Sequence, residues 1–345
     1  MPAPVSTPPT SPVAPPDATP PTSPVAPPDA IPPPSPVAPP GCPAPPARAA
    51  PPASADLMGR CRFPPPPTTV SLAVSGGADS LALMVLAAEA GLDAVAIHVD
   101  HGLRPGSAAE ADHVRAAADR LGVRFERRAV VVAPGGNLEE RARRARYLAL
   151  PEGVLTGHTA DDQAETVLAN LLRGAALDGL VGMRSTPRVQ RPLLGLRRIE
   201  TQGVCARAGL VPVDDPTNTD PRFLRNQIRH QLLPLLAEAA RRDLVPVLSR
   251  QAALLADDAA LLDELAAGVD PTDTRALLAA PLPLARRALR TWLRAGPGAD
   301  ADVHPPSAAE IERVLAVAAG AAVGCQLAGG RWVRRRGGRL RIVAG

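Results

Sequence analysis

The stretch that most constrains this chain runs from Val70 to Gly91. It reads Val-Ser-Leu-Ala-Val, then Ser75-Gly76-Gly77-Ala78-Asp79-Ser80, then an Ala/Leu-rich run that closes at Gly91. The apolar run with valine at either end reads as a buried strand and the Ala/Leu run as a helix. Between them, two glycines let the backbone turn sharply and approach a ligand. The helix that follows offers free N–H groups and a partial positive charge to an anion. The turn suits a phosphate.

Several phosphate loops are excluded by residue type. A Walker loop needs Gly-Lys-Ser/Thr, and this chain contains no lysine: all 38 of its basic residues are arginine. A Schiff-base lysine and a lysine general base are excluded on the same ground. The Gly-x-Gly-x-x-Gly dinucleotide fingerprint is absent from the turn. What remains, Ser-Gly-Gly-x-Asp-Ser, resembles the pyrophosphate loop of ATPases that release pyrophosphate and leave AMP on a substrate oxygen. A glycine-rich turn with a serine cap is the plain structural alternative.

Composition divides the chain. Of 43 prolines, 27 fall in the first 67 residues, where Thr7–Ala18 recurs without change as Thr19–Ala30. Such a segment buries no core and favours extended polyproline II, which predicts a disordered tail over residues 1–68. It lacks the charged and apolar regions of a signal peptide. No later apolar run reaches the roughly 18 residues of a membrane span. Cys42, Cys61, Cys205 and Cys325 are scattered, forming neither a disulfide framework nor a metal site, and a reduced cytoplasm fits. A net charge of +4 points weakly to a polyanionic partner.

The remaining residues predict two domains, 69–238 and 239–345. Ala94–Val99 is a second strand, followed by a helix from Ser107 to about Leu121. Val123–Val132 is a third strand, Glu139–Leu150 a helix and Gly153–Gly157 a fourth strand. This alternation predicts an α/β fold with a doubly wound parallel sheet, its ligands at the carboxyl ends of the strands. From about Ala239 the chain reads as helical, near 244–267, 274–295 and 307–319, with a small β element from Val323 turning at Gly337-Gly338. Six of the eleven residues Arg331–Arg341 are arginine. That basic tail suits RNA, and a solvated hairpin explains it too.

Three constellations sit on the rim of the sheet. Asp100, His101 and Arg104 follow the second strand, where a capping turn or a nucleotide contact explains them equally. In Gly157–Thr166, Asp162 and Glu165 share one helical face while Val167, Leu168, Leu171 and Leu172 lie mostly on the other. Two carboxylates facing a nucleotide site can hold an ammonium group or magnesium. The third constellation is basic. Arg141, Arg143, Arg144 and Arg146 crowd one helix, and Arg222, Arg225 and Arg229 fall within about 60° of arc opposite Leu224, Ile228, Leu232 and Leu235. A docked helix with a free basic face can meet phosphates.

Taken together, five segments resemble the tRNA(Ile)-lysidine synthetases, a branch of the pyrophosphate-loop ATPases. They are Ser75–Ser80, His98–Arg104, Asn137–Tyr147, Gly157–Met183, and Asp215–Asn218 with Arg225–Arg229. The resemblance implies an enzyme that uses ATP, free L-lysine and the isoleucine tRNA with a CAU anticodon. It would join lysine to the position-2 carbon of the wobble cytidine through an adenylated intermediate. Carried over residue by residue, ATP would lie on Ser75, Gly76, Gly77, Ala78, Asp79, Ser80, Asp100 and His101, with Asp79 also positioning magnesium. Asp162 and Glu165 would hold lysine. Arg143 or Arg146 would offset charge growing on the reacting phosphate. Arg222, Arg225, Arg229, Arg334 and Arg335 would meet tRNA, and a homodimer stays open. The chain departs from the family at Thr159, where a second histidine is usual, and at Ala175-Ala176. A tRNA thiolase of the same class and a non-catalytic RNA-binding module are the rival readings.

Overall fold

The computed structural model describes residues 54–100, 107–131, 138–213, 220–296 and 306–344. The proline repeats, His101, Arg104 and the Asp215–Asn218 motif lie outside the described residues.

The phosphate turn does join a strand to a helix. β1 (Thr69–Ala73) is followed by a helix at Ala78–Glu89, and the next strands are β2 (Asp93–Asp100), β3 (Arg124–Ala129), β4 (Val154–Thr156) and β5 (Val189–Gln190). They form one parallel sheet in the order β3-β2-β1-β4-β5. The chain winds outward from β1 in both directions, so the carboxyl ends of β1 and β4 flank the switch point where such sheets bind ligands.

One expectation is overturned at the amino end. Residues 54–68 are not a disordered extension of the tail: Ser54–Arg60 is helix α1, with Leu57 fully buried. Leu57 and Met58 are an apolar pair beyond the proline repeats, and they pack into the main core with Cys61 and Phe63. Arg60 adds an ion pair to Glu200 at 2.5 Å.

The helix after the phosphate turn, α2 (Ala78–Glu89), is buried from Ser80 to Ala87. A helix apolar on every side belongs inside a layered domain. Its core also draws on α3 (Ser107–Leu121), while α4 (Leu138–Ala149) brings Tyr147 to a separate cluster with Val95, Ile97, Val154 and Val189. After β4 come α5 (Ala160–Leu172), the short α6 (Leu177–Leu180) and α7 (Arg198–Arg207).

The predicted basic helix is present as α8 (Leu224–Gln227), a π turn over Ile228–Leu232, and α9 (Leu233–Ala240), but it starts after Arg222, which lies in the preceding turn and not on the helical arc with Arg225 and Arg229. α10 (Val245–Ala267) buries Ala252, Ala259 and Ala266 at seven-residue spacing. It packs on both α5 and the later α12, so a cut at residue 239 falls just before a helix shared by the two halves.

The helix expected over 274–295 is two, α11 (Thr274–Ala279) and α12 (Leu282–Ala295), because Pro281 cannot continue the first. With α13 (Ala308–Ala319) they cover an antiparallel sheet of β6 (Gly324–Gln326), β7 (Arg331–Arg336) and β8 (Arg339–Ala344), which share a second core. Arg287 and Arg290 of α12 both reach Asp178 of α6, the former at 2.6 Å, joining the halves. No helix among the described residues is long and apolar enough to cross a membrane.

Candidate active site

At the phosphate turn, Gly76 has φ +90°, a region side chains rarely adopt. The Ser75 N–H donates to Ser80 Oγ at 3.1 Å, and Ser80 Oγ donates to the Gly77 carbonyl at 2.9 Å. The turn is thereby fixed at the start of α2, with Asp79 in the first helical turn. Gly157, just past β4, lies against it: a Cβ there would meet Asp79 O at 2.5 Å. Only glycine lets the end of β4 approach this closely.

That approach brings the two acidic motifs together through a residue the sequence did not single out. Arg198, first in α7, donates from Nη2 to Asp162 Oδ1 at 2.7 Å and from Nη1 to Glu165 Oε1 at 3.2 Å. Its Nε reaches Asp79 Oδ2 at 3.4 Å. Three carboxylates from two motifs thus converge on one guanidinium. Asp161, which a helix-dipole role alone explained, aims this arm. It accepts from the Arg198 N–H at 2.8 Å and from two nitrogens of Arg197 at 3.1 Å each. Thr201 donates its hydroxyl to Asp79 from the next turn of α7.

Asp162 and Glu165 share one face, as the spacing predicted, but neither stands open. Glu165 is fully buried, with Arg229 forked onto it at 2.7 and 3.1 Å and Arg225 at 3.4 Å. Arg225 and Arg229 therefore turn inward onto acids and do not form a free basic face, because a fully buried carboxylate draws the nearest cations. Arg222 remains largely exposed, paired with Asp220 at 2.7 Å. Beside the cluster, an open cavity of about 210 Å³ is lined by Glu165, Arg198 and Arg229 together with Leu233, Pro234 and Leu244.

Electrostatics divide the site. Burial, helped by the charge of Asp162, pushes the Asp79 carboxyl above its ordinary value, and its 3.4 Å contact with Arg198 is too long to reverse this. Burial acts the same way on Asp162, but Arg198 and the Thr159 N–H outweigh it and hold that carboxyl low. Thr159 serves as the helix cap: its N–H and hydroxyl both donate to Asp162. His158 is pushed down to about 4, chiefly by burial, with Asp162 opposing and Arg191, Arg143 and Arg225 assisting. Its ring is neutral at pH 7, with Nδ1 2.8 Å from Thr156 Oγ1.

Of the remaining predicted residues, Arg143 lies near enough to act on His158 and the others are not drawn into the cluster. Asp100 is buried and paired with Arg127 of β3 at 2.5 Å, which supplies the structural explanation for it. Arg143 and Arg146 are exposed on α4, and the Arg143 guanidinium lies 5.1 Å from the Tyr147 ring centroid. Arg334 and Arg335 are exposed on β7 in the distal sheet. Cys61 and Cys205 donate to carbonyls at 3.2 Å, and burial lifts both thiols to about 11, so neither is poised as a thiolate.

Residues 57–236 match the family described as the PP-loop domain, and residues 273–341 match the TilS substrate binding domain. The chain is 45% identical over 238 residues to a tRNA(Ile)-lysidine synthase of Nocardia farcinica, covering 65% of this chain and 75% of that one. It is 46% identical over 238 residues to the synthase of Mycolicibacterium paratuberculosis, covering 65% and 74%. Among solved structures, a U34-tRNA thiolase from Methanococcus maripaludis superposes with a TM-score of 0.46 at 17% identity, over 59% of this chain and 78% of that one.

Proposed function

We infer the chemistry of this site from one premise: the chain belongs to the tRNA(Ile)-lysidine synthase family. It is an ATP-dependent ligase that forms lysidine on tRNA. The finer assignment concerns which residues do what. ATP lies on Ser75–Ser80, its phosphates on the N–H groups at the start of α2, where the dipole favours anions. The cytosine position-2 oxygen of the CAU anticodon attacks the α-phosphorus, and pyrophosphate leaves. The ε-amine of free lysine then attacks the position-2 carbon, and AMP leaves.

The observation that carries this reading is Arg198. It ties Asp79 of the phosphate turn to Asp162 and Glu165, so the nucleotide and amine sites are neighbours in one cleft. Lysine enters the adjoining cavity, its ammonium exchanging with a guanidinium on Glu165. Magnesium binds through one or two carboxylates together with substrate phosphates, so a single Asp79 at the turn fits it, and there it would neutralise phosphate charge. Arg143 or Arg146 offsets charge on the reacting phosphate. Arg222, Arg334 and Arg335 remain the exposed candidates for tRNA phosphates, and the enzyme works in the cytoplasm.

Product analysis tests this. Incubation with ATP, radiolabelled lysine and the isoleucine transcript should yield AMP, pyrophosphate and label retained in RNA, each dependent on tRNA. Sulfur incorporation in place of lysine would favour the thiolase, against which the two protonated, separated thiols already argue.

A further inference from the structure

A second arginine beside the cleft has no assigned work. Arg191 follows β5, at the same carboxyl edge as the phosphate turn and His158. Its backbone is fixed by a tight turn in which the Thr186 and Val189 backbones bond each other at 2.8 and 3.1 Å. The Arg191 N–H donates to Ser185 Oγ at 2.9 Å. Its side-chain partners are neutral carbonyls, Arg184 O and Val189 O. Its Nε is buried with no partner, and no carboxylate among the described residues pairs with it.

This is unusual here, because the other arginines of the cleft (Arg197, Arg198, Arg225 and Arg229) all contact acids. Arg143, stacked on Tyr147, likewise has no carboxylate partner among the described residues. Burial lowers the Arg191 guanidinium from its ordinary value, the charge of Arg143 adds to this, and both cations help keep His158 neutral. The cleft is thus acidic on the α5 side and basic on the β5 side. A half-buried cation with a spare donor and no counter-ion is costly unless an anion completes it. A guanidinium fork matches phosphate oxygens well.

We propose that Arg191, with Arg143 beside it, forms a phosphate-ester subsite at the carboxyl ends of β4 and β5. Its ligand is the phosphate of the adenylate or a backbone phosphate flanking the target nucleotide. The proposal rests on the ligase reading of the same cleft, yet neither measurement below needs lysine or turnover, so each idea fails separately.

Two measurements on full-length Arg191→Gln test it. The first compares the affinities of AMP and adenosine by calorimetry. If the site seats the nucleotide phosphate, the preference for AMP falls roughly tenfold or more. The second follows binding of an anticodon stem-loop transcript against salt. If the site seats a backbone phosphate, the slope of log K on log salt falls by about one. Either change supports the subsite and identifies its source. Both values unchanged, in a variant that melts with the wild type, would overturn it. Should Arg191→Gln fail to fold, Arg143→Gln on the exposed α4 face decides, and no change there in either measurement overturns the proposal as well.

Discussion

Glu165→Gln tests the cluster most severely, because it removes one charge and almost no volume. Glu165 is fully buried and contacts Arg198, Arg225 and Arg229 at 3.2, 3.4 and 2.7 Å. Without it those three guanidiniums keep Asp162, at 2.7 Å from Arg198 and 3.7 Å from Arg229, and the longer 3.4 Å contact of Arg198 with Asp79. Breaking a buried pair costs about 3–5 kcal/mol. These arginines keep 21%, 41% and 24% of their side-chain surface exposed. Water therefore screens part of the loss, leaving about 2–3 kcal/mol. In a protein of this size that lowers Tm by about 5–10 °C. Calorimetry measures the shift, and steady-state kinetics should show the apparent KM for lysine rising by at least about tenfold. Adenylation of tRNA without lysine should change little. A melting point within a degree of wild type would refute the arginine cage. Failed adenylation with unaltered lysine dependence would show that the acids serve the nucleotide instead.

Other outcomes follow from named contacts. Leu57→Ala should cost about 3–5 kcal/mol by urea denaturation, since its side chain is wholly buried, and deleting residues 1–66 should cost more by also removing the Arg60–Glu200 pair. Asp79→Ala should abolish pyrophosphate release while the protein stays folded; release at the native rate would sink its proposed role. Because the fold holds His158 near 4 against an ordinary 6.5, it resists protonating that ring. The contribution is complete above pH 6.5 and is lost as pH falls toward 4, by up to about 3 kcal/mol. His158→Gln should flatten stability across that window, and an unchanged slope would mean the ring titrates normally.

What the sequence revealed was local. The phosphate turn, the alternation of strands and helices, and the shared face of Asp162 and Glu165 are all patterns within one or two helical turns. The residues it hid act across the sheet. Arg197 and Arg198 look like ordinary charges opening a helix, and only the placement of α7 beside α5 brings them to acids 36 residues away. Arg225 and Arg229 were correctly placed on one arc, but periodicity does not say whether that arc meets water or a buried acid. Two misses had visible signals: Pro281 marks the break between α11 and α12, and the Leu57-Met58 pair marks the end of the proline tail.

The absence of lysine gives the cluster its chemical logic. Asp79, Asp162 and Glu165 face Arg198, Arg225 and Arg229, three negative charges against three positive. Arginine stays charged in any protein environment and binds carboxylates as a planar fork. Within this cluster acid meets guanidinium, and Glu165 does not stand buried and bare, which would cost several kcal/mol. An arriving ammonium meets no lysine side chain competing for the acids, because the chain has none. It also adds a positive charge to a cleft where Arg191 already has no carboxylate partner among the described residues, and an accompanying anion offsets it. The phosphate of an adenylated tRNA supplies that anion, so amine and adenylate should each bind more tightly in the presence of the other. Lysine affinity measured with and without AMP tests this: equal values would show that the two halves of the cleft do not sense each other's charge.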